Sequence, residues 1–529
     1  MCGIYFLFKG NKSLPTFQHT KLLNRGPDFT NVVDTNEFHA AFYRLAIVGY
    51  ENGMQPFESD SVVMLCNGEI YNYKELIEKY QLPVTTDSDC ECILHLYKKL
   101  GIEQTIAILD GEFAFVIYDK VAKLLHFARD RLGRKPLYTG FLSEQLEIAS
   151  LYSCLSLPNK YQVVPGLIYT YDVAHSTCST MRYHYFTYNP NDNITNDMLY
   201  DNFCSAVRKR ITQSERPVGF LLSGGFDSSL VLSIALKYKM TKTIPHVFTI
   251  GFDENAPDVK SATIMVDYLR RLYGIDCIIW HKVILPIQDG LNAIPDVIRI
   301  LETYDTTTIR ASTPMYLISQ YIVKNTDVKV ILSGEGSDEL FGGYLYFRYA
   351  PNNQAFRSEI CKLLNNLYLY DVLRADRTTA NFGLEVRPPF LDDMFVRNVL
   401  SSKALTKSET TTKSLIRTIM INKNVLPDSI LLGKKEAFSD AVGLIWKDAI
   451  AKHANGILDT LDNSKDLSPH LTPVTAEEYW YQTLFAKYYP NSWTLLKELW
   501  LPNQAWVKTG REPSARVLGV YSKLTTSIN

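Results

Sequence analysis

Val218-Gly219-Phe220-Leu221-Leu222-Ser223-Gly224-Gly225-Phe226-Asp227-Ser228-Ser229 decides the fold of the larger part of this chain. Residues 218–222 read as a buried strand, and the sequence then breaks into serines and glycines ahead of a helix-length apolar stretch. Further apolar runs at 245–250, 276–281 and 328–332 are each separated by helix-length segments, and beyond about residue 340 the pattern is mostly helical. Strands alternating with helices at this spacing predict a parallel, doubly wound sheet, which binds ligands at the carboxyl ends of its strands. The Ser-Gly-Gly turn sits at such an end. Its glycines let backbone N–H groups approach a phosphate, the helix N-terminus adds about half a positive charge, and the serines add hydroxyl donors. Asp227 is placed to reach a Mg²⁺ on those phosphates. The bland alternative is a Gly-Gly turn with serine caps. No Walker A pattern occurs, and Gly334-Glu335-Gly336 lacks the third glycine of a dinucleotide fingerprint.

Toward the N-terminus the texture differs. Residues 2–8, 38–48, 62–70, 113–118, 124–128 and 167–171 are short β-rich runs, whereas 73–80 and 89–100 read as helices, the second closed by Gly101. Many strands with few helices predict a layered α/β sandwich. The stretch TYNPNDNITND (187–197) is poor in apolar residues and is the expected linker, which divides the chain into residues 2–190 and 195–529.

At 529 residues the chain is too long for one core. Its net charge of −1 provides no field for nucleic acid or an anionic membrane, so any anion needs a local site. Nine cysteines without a CxxC pair read, for all but Cys2, as buried reduced thiols of a cytosolic protein. Only seven apolar residues precede Lys9, against roughly 20 for a membrane span. A soluble, cytoplasmic protein with neither membrane nor nucleic-acid partner is expected.

Cys2 follows the initiator Met. Removal of that Met places a thiol and a free α-amine on one residue, and the amine, with a pKa of about 8, can serve as base for its own nucleophile. Asn67 and Gly68, beside a strand, are a suitable donor pair for the oxyanion of a tetrahedral intermediate. Arg44 can grip an α-carboxylate, and Glu69 and Asp89 can hold an α-ammonium. Set against this are a hairpin turn at 67–68, a surface arginine and a helix-capping aspartate.

The motifs MCGI, RGPD (25–28), RLAIV (44–48), NGEIYN (67–72), SDCE (88–91), LDGEFAF (109–115) and RDRLGRKPLY (129–138) resemble the glutaminase domain of class II amidotransferases. That resemblance implies an N-terminal-nucleophile αββα sandwich in which Cys2 attacks the glutamine amide and Arg44, Leu45, Ala46, Ile47, Val48, Asn67, Gly68, Glu69 and Asp89 form the pocket. SGGFDSS resembles the pyrophosphate loop of ATP pyrophosphatases. With SGEGSDE (333–339), TIRASTPMY (308–316), LYDVLRADRTTA (369–380), GLEVRPPFLD (383–392), KKEAFSD (434–440) and EPSARVL (512–518), the chain is similar to glutamine-hydrolysing asparagine synthetases from residue 2 to about 520.

The resemblance implies that glutamine, aspartate and ATP with Mg²⁺ are used, that ammonia passes through an internal tunnel, and that aspartyl-AMP forms in an adenine-nucleotide α-hydrolase-like domain. It implies ATP contacts from Leu222, Ser223, Gly224, Gly225, Asp227, Ser228, Ile250, Ser333, Gly334 and Lys435, with Mg²⁺ on Asp227 and Asp338. Arg310 would stabilise the adenylate, and Glu335 would assist amide formation. A homodimer is a further expectation. Phe226 stands where the family has Leu, Asn24 where it has His, Pro388 where it has Val, and Ser150–Ser153 where it has Ser-Glu-x-Lys. An enzyme amidating another carboxylate and a catalytically weak regulatory relative are the competing readings.

Overall fold

The computed structural model describes residues 1–10, 17–433, 446–461 and 467–512. Two compact units emerge: Met1–Tyr185 with Gln213–Arg216 and Thr379–Glu385, and the rest of the chain from Phe186.

The first unit holds two six-stranded sheets. One, ordered β10-β8-β9-β1-β3-β2, contains β1 (Gly3–Phe8), β2 (Phe29–Asp34), β3 (Phe38–Arg44), β8 (Tyr138–Leu142), β9 (Gln145–Ala149) and β10 (Tyr161–Gln162). The other, ordered β12-β11-β7-β6-β5-β4, contains β4 (Phe57–Glu58), β5 (Val62–Ile70), β6 (Gly111–Asp119), β7 (Leu124–Arg129), β11 (Leu167–Asp172) and β12 (Thr177–Arg182). Alternation along each strand builds the layers. On β5, Val63 and Leu65 join Ile4, Phe6 and Phe42 between the sheets. Val62, Met64 and Cys66 face the opposite way, onto Leu76 of helix α1 (Tyr73–Tyr80) and Ile93 and Leu94 of α2 (Glu91–Ile108). On the first sheet, the short 3₁₀ turn His19–Leu22 lies beside β1.

Gly101, at φ 77°, ψ 171°, does close the helical run expected over 89–100, and a second helical stretch that was not expected follows it to Ile108. Two other local expectations change. The strand expected over 38–48 stops at Arg44, because the backbone turns there and Arg44 itself binds the carbonyls of the turn. Of the nine cysteines, all are free, but only Cys66, Cys90, Cys92 and Cys154 are buried, and Cys178 is exposed on β12.

In the second unit, β13 (Val218–Leu221), β14 (His246–Gly251), β15 (Ile279–Ile284), β16 (Val330–Leu332) and β17 (Glu385–Arg387) form a sheet ordered β15-β14-β13-β16-β17. The ladders of β15 with β14, β14 with β13 and β13 with β16 are parallel. The run at 276–281 pairs three residues later than expected, since Gly274 (φ +97°) ends the preceding helix and residues 274–277 close a turn first. Helices α3 (Asn196–Thr212), α4 (Phe226–Lys237), α5 (Pro257–Tyr273), α6 (Ile287–Leu301), α7 (Thr306–Asn325) and α8 (Ser337–Phe341) follow. The asparagine-rich stretch lies against this unit, with Asn189 and Asn191 donating to the carbonyls of Leu400 and Ser401. Strand order reverses between β13 and β16, so the loops that leave these two strands open a crevice at their carboxyl ends. No described helix is long and apolar enough to cross a membrane.

Candidate active sites

Cys2 immediately precedes β1 and packs on the inter-sheet core; its thiol donates to the Leu45 carbonyl at 3.7 Å. Burial pushes that thiol up to about 11, against the pull of the adjacent α-ammonium, the Leu45 carbonyl and Arg44. With Met1 in place that ammonium is Met1's own, buried 3.7 Å from Glu385 and lowered by desolvation. Arg25 fixes this end by donating from Nε to the Cys2 carbonyl at 3.0 Å.

Asn67 and Gly68 lie inside β5, paired with Ala114 and Phe113, so the hairpin-turn alternative is excluded. Asn67 is fully buried, and neither its amide nitrogen nor its amide oxygen has a hydrogen-bond partner. An unpartnered buried amide costs free energy unless a ligand completes it, which suits an oxyanion donor. Arg44 is buried rather than a surface residue. Its guanidinium donates to the carbonyls of Tyr50 at 3.0 Å, Val48 at 3.2 Å and Gly49, and so shapes the loop that follows β3. In the same segment Ala46 donates its N–H to Asp28 at 2.9 Å. Asp89 does not cap α2, whose N-cap is Cys90; it accepts the Ile70 N–H at 2.6 Å and secures the end of β5 beside Glu69.

In the second unit a cavity of about 370 Å³ opens at the strand-order reversal. Every expected nucleotide and carboxylate-activating residue lines it except Lys435, which lies outside the described residues together with the rest of KKEAFSD and most of EPSARVL. The first loop is held by Ser228 Oγ, which accepts the Ser223 N–H at 3.1 Å, and leads into α4 behind Gly225. Gly224 is required: φ is +75°, and a Cβ there would stand 2.0 Å from the Ala262 nitrogen. The second loop packs on the first, for a Cβ on Gly334 would be 2.8 Å from Asp227 Cβ. Ser333 Oγ is buried without a partner, as expected of a group awaiting a ligand. Leu221, Phe248, Ile250, Met315 and Ile318 make one wall apolar, suited to a base.

The remainder of the cavity is dense in charge. Asp227 and Asp338 converge on one ammonium, that of Lys413, at 2.6 and 2.9 Å. Two carboxylates sharing a single cation fit a divalent metal, and the ligands expected for Mg²⁺ are thus brought together. Glu335 pairs with Arg374 at 2.5 Å, and Arg374 also holds Asp371 at 2.7 Å. Burial raises the Glu335 carboxyl despite Arg374, and raises Glu339 further, where Asp371 and Asp338 add to it. Arg310 is itself paired. It forms a two-point pair with Glu477 at 2.8 and 2.6 Å and reaches Glu512 at 3.1 Å.

Sequence reasoning assigned no role to Lys413, Arg417, Asp371, Arg374 or Glu477. LYDVLRADRTTA carried the signal for two of them, since it contains Asp371 and Arg374. Of the departures, one acquires a local explanation. In the 150–153 segment, Ser150, which the family shares, is buried and its hydroxyl accepts the Ile4 N–H at 3.0 Å, two residues from Cys2, but nothing in the structure explains the departing Leu151 and Ser153. Phe226 is buried beneath the guanidinium of Arg417, 4.8 Å from the ring centre. Nothing in the structure explains Asn24 or Pro388.

A buried nucleophile segment on an antiparallel sandwich and a two-loop nucleotide crevice define an amidotransferase built on two catalytic units. The family profile described as "Glutamine amidotransferase domain" matches residues 1–172, and "Asparagine synthase" matches residues 198–362 and 348–508. The asparagine synthetase [glutamine-hydrolyzing] of Gallus gallus is 38% identical over 569 residues, covering 98% of this chain and 99% of the relative. Those of Cricetulus griseus and Homo sapiens are each 37% identical, with the same coverage. The chain belongs to the family of glutamine-hydrolysing asparagine synthetases.

Proposed function

We propose that the chain is a cytoplasmic enzyme that makes asparagine from aspartate, ATP and the amide nitrogen of glutamine. At the first site Cys2, freed of Met1, attacks the glutamine amide carbon as its α-amine takes the thiol proton. The Asn67 amide and the Gly68 N–H hold the oxyanion, and the C–N bond breaks with that proton leaving on ammonia. Water then cleaves the thioester to glutamate. Arg44 grips the α-carboxylate; Glu69 and Asp89 take the α-ammonium.

At the second site a β-carboxylate oxygen of aspartate attacks the α-phosphorus of ATP and pyrophosphate departs. Activation is needed because a carboxylate's charge repels nucleophiles, and the acyl-adenylate removes that charge and supplies a leaving group. Mg²⁺ on Asp227 and Asp338 would neutralise phosphate charge. Ammonia then adds to the acyl carbon and AMP leaves, with Glu335, raised by burial, placed to take the excess proton. Arg310 serves the developing phosphate charge by exchanging Glu477 for it.

The observation that carries this reading is the single cavity where both Gly/Ser loops, the Asp227–Asp338 pair and the Glu335–Arg374 pair meet. The test is product formation with glutamine, aspartate and Mg–ATP together and with each omitted, alongside Cys2→Ala supplied with ammonia. Asparagine and pyrophosphate appearing one for one, with the variant active on ammonia alone, is expected. Glutamate without asparagine would refute the second half, and a mass retaining Met1 in active enzyme would refute the role of the Cys2 amine.

A further inference from the structure

Lys413 immediately precedes the helix Ser414–Met420 at φ 58°, ψ 36°, a left-handed conformation uncommon for a lysine. Its side chain is 1% exposed and reaches between the two loops. The ammonium donates to both carboxylate oxygens of Asp227 at 2.6 Å, lies 2.9 Å from Asp338 Oδ1, and donates to Ser337 Oγ at 3.2 Å. Gly343 allows this closure, since a Cβ there would lie 2.0 Å from Asp338 Oδ1 and 2.2 Å from Lys413 Cε. An ammonium has three protons, and these contacts employ them all.

We propose that Lys413 is a built-in counter-cation that keeps Asp227 and Asp338 together while the site lacks nucleotide and bars a free divalent metal from them. The metal is then accepted only in company with ATP, whose phosphates take the ammonium as the carboxylates release it. This inference rests on the reading of Asp227 and Asp338 as the metal ligands. The physical reason is the cost of an unpaired buried charge. A free divalent ion entering between the carboxylates takes both of the anionic partners of Lys413, whereas an incoming triphosphate supplies a new one. The flexible four-carbon stem lets the ammonium change partners without moving the backbone.

The test uses the full chain with Mn²⁺ as probe, free metal being read by electron paramagnetic resonance. Wild type is expected to bind Mn²⁺ weakly without nucleotide and to take it up in an Asp338-dependent way with ATP. Lys413→Met and Lys413→Gln are expected to bind free Mn²⁺ about tenfold tighter or more, and to bind ATP more weakly. Adding ethylammonium to Lys413→Ala should weaken Mn²⁺ binding again. No gain in free Mn²⁺ affinity in the folded variants would overturn the proposal. So would wild type binding Mn²⁺ as tightly without nucleotide as with it, a comparison that requires no variant to fold. If ATP-dependent uptake survives both Asp227→Asn and Asp338→Asn, the metal-ligand reading itself fails.

Discussion

Replacing Asn67 with Ala separates a catalytic group from a structural one by moving stability and rate in different directions. A structural asparagine buried in a strand would be hydrogen-bonded, and its loss would cost roughly 1–3 kcal/mol by leaving partners unsatisfied. Asn67 has no such partners: its amide nitrogen and oxygen are both buried and unpaired. Truncation therefore removes an existing desolvation cost of the same order, offset by about 1 kcal/mol for the small cavity it leaves. The net change in unfolding free energy is expected within about 1 kcal/mol of zero, or stabilising. The oxyanion, by contrast, loses a donor, and glutamine hydrolysis should slow by about 10²–10³ in kcat. Glutamate release at saturating glutamine measures the rate, urea unfolding followed by fluorescence measures stability, and ammonia-dependent synthesis is the internal control and should persist. A loss of more than about 2 kcal/mol with kcat kept within about threefold would refute the reasoning, because it would mean that the amide is satisfied in the free protein.

The site glycines, a buried histidine and the loop phenylalanine give three further outcomes. Gly224→Ala should cost more than about 4 kcal/mol or abolish folding of the second unit, because the added Cβ meets backbone 2.0 Å away at φ +75°; denaturation midpoints and ATP binding by calorimetry check it. His126 is lowered to about 4 by burial, with its Nδ1 2.9 Å from Thr170 Oγ1. The folded state thus binds fewer protons than the unfolded state between pH 4 and 6.5, and the stability from this group is full above 6.5 and falls as pH drops toward 4. His126→Gln should flatten that slope by at most about 3 kcal/mol across the window, read from unfolding curves at stepped pH. Phe226→Leu restores the residue usual in the family and removes the ring beneath Arg417. It should cost about 1–2 kcal/mol while synthesis stays within severalfold, because the carbonyls of Thr412, Ile430, Leu431 and Gly433 still hold the guanidinium.

How much of this was legible in the sequence follows the range of the contact that fixes each feature. β5 and α1 were readable from end to end, since side-chain periodicity is a local property and both faces of β5 are apolar. The start of β15 was not. Its register is set by pairing Ile279 with His246, and the apolar run alone does not show that residues 274–277 are spent on a turn. The same divide runs through the sites. Asn67-Gly68 and the Ser223–Ser228 loop announce themselves because strand, glycine and donor are contiguous. Lys413 sits 186 positions from Asp227, and Glu477 sits 167 from Arg310, so no spacing rule links them. What sequence reasoning supplied as separate charges, a metal-ligand pair and a lone arginine, folding delivers already neutralised by partners from distant segments. A buried site cannot hold bare charges while it waits for substrate. Each charge expected to act at the second site accordingly has a resident counter-ion: Lys413 for Asp227 and Asp338, Arg374 for Glu335, and Glu477 for Arg310. On the proposed reading, substrate binding there is an exchange of partners, and the residues released in that exchange are ones to which no role was assigned from the sequence.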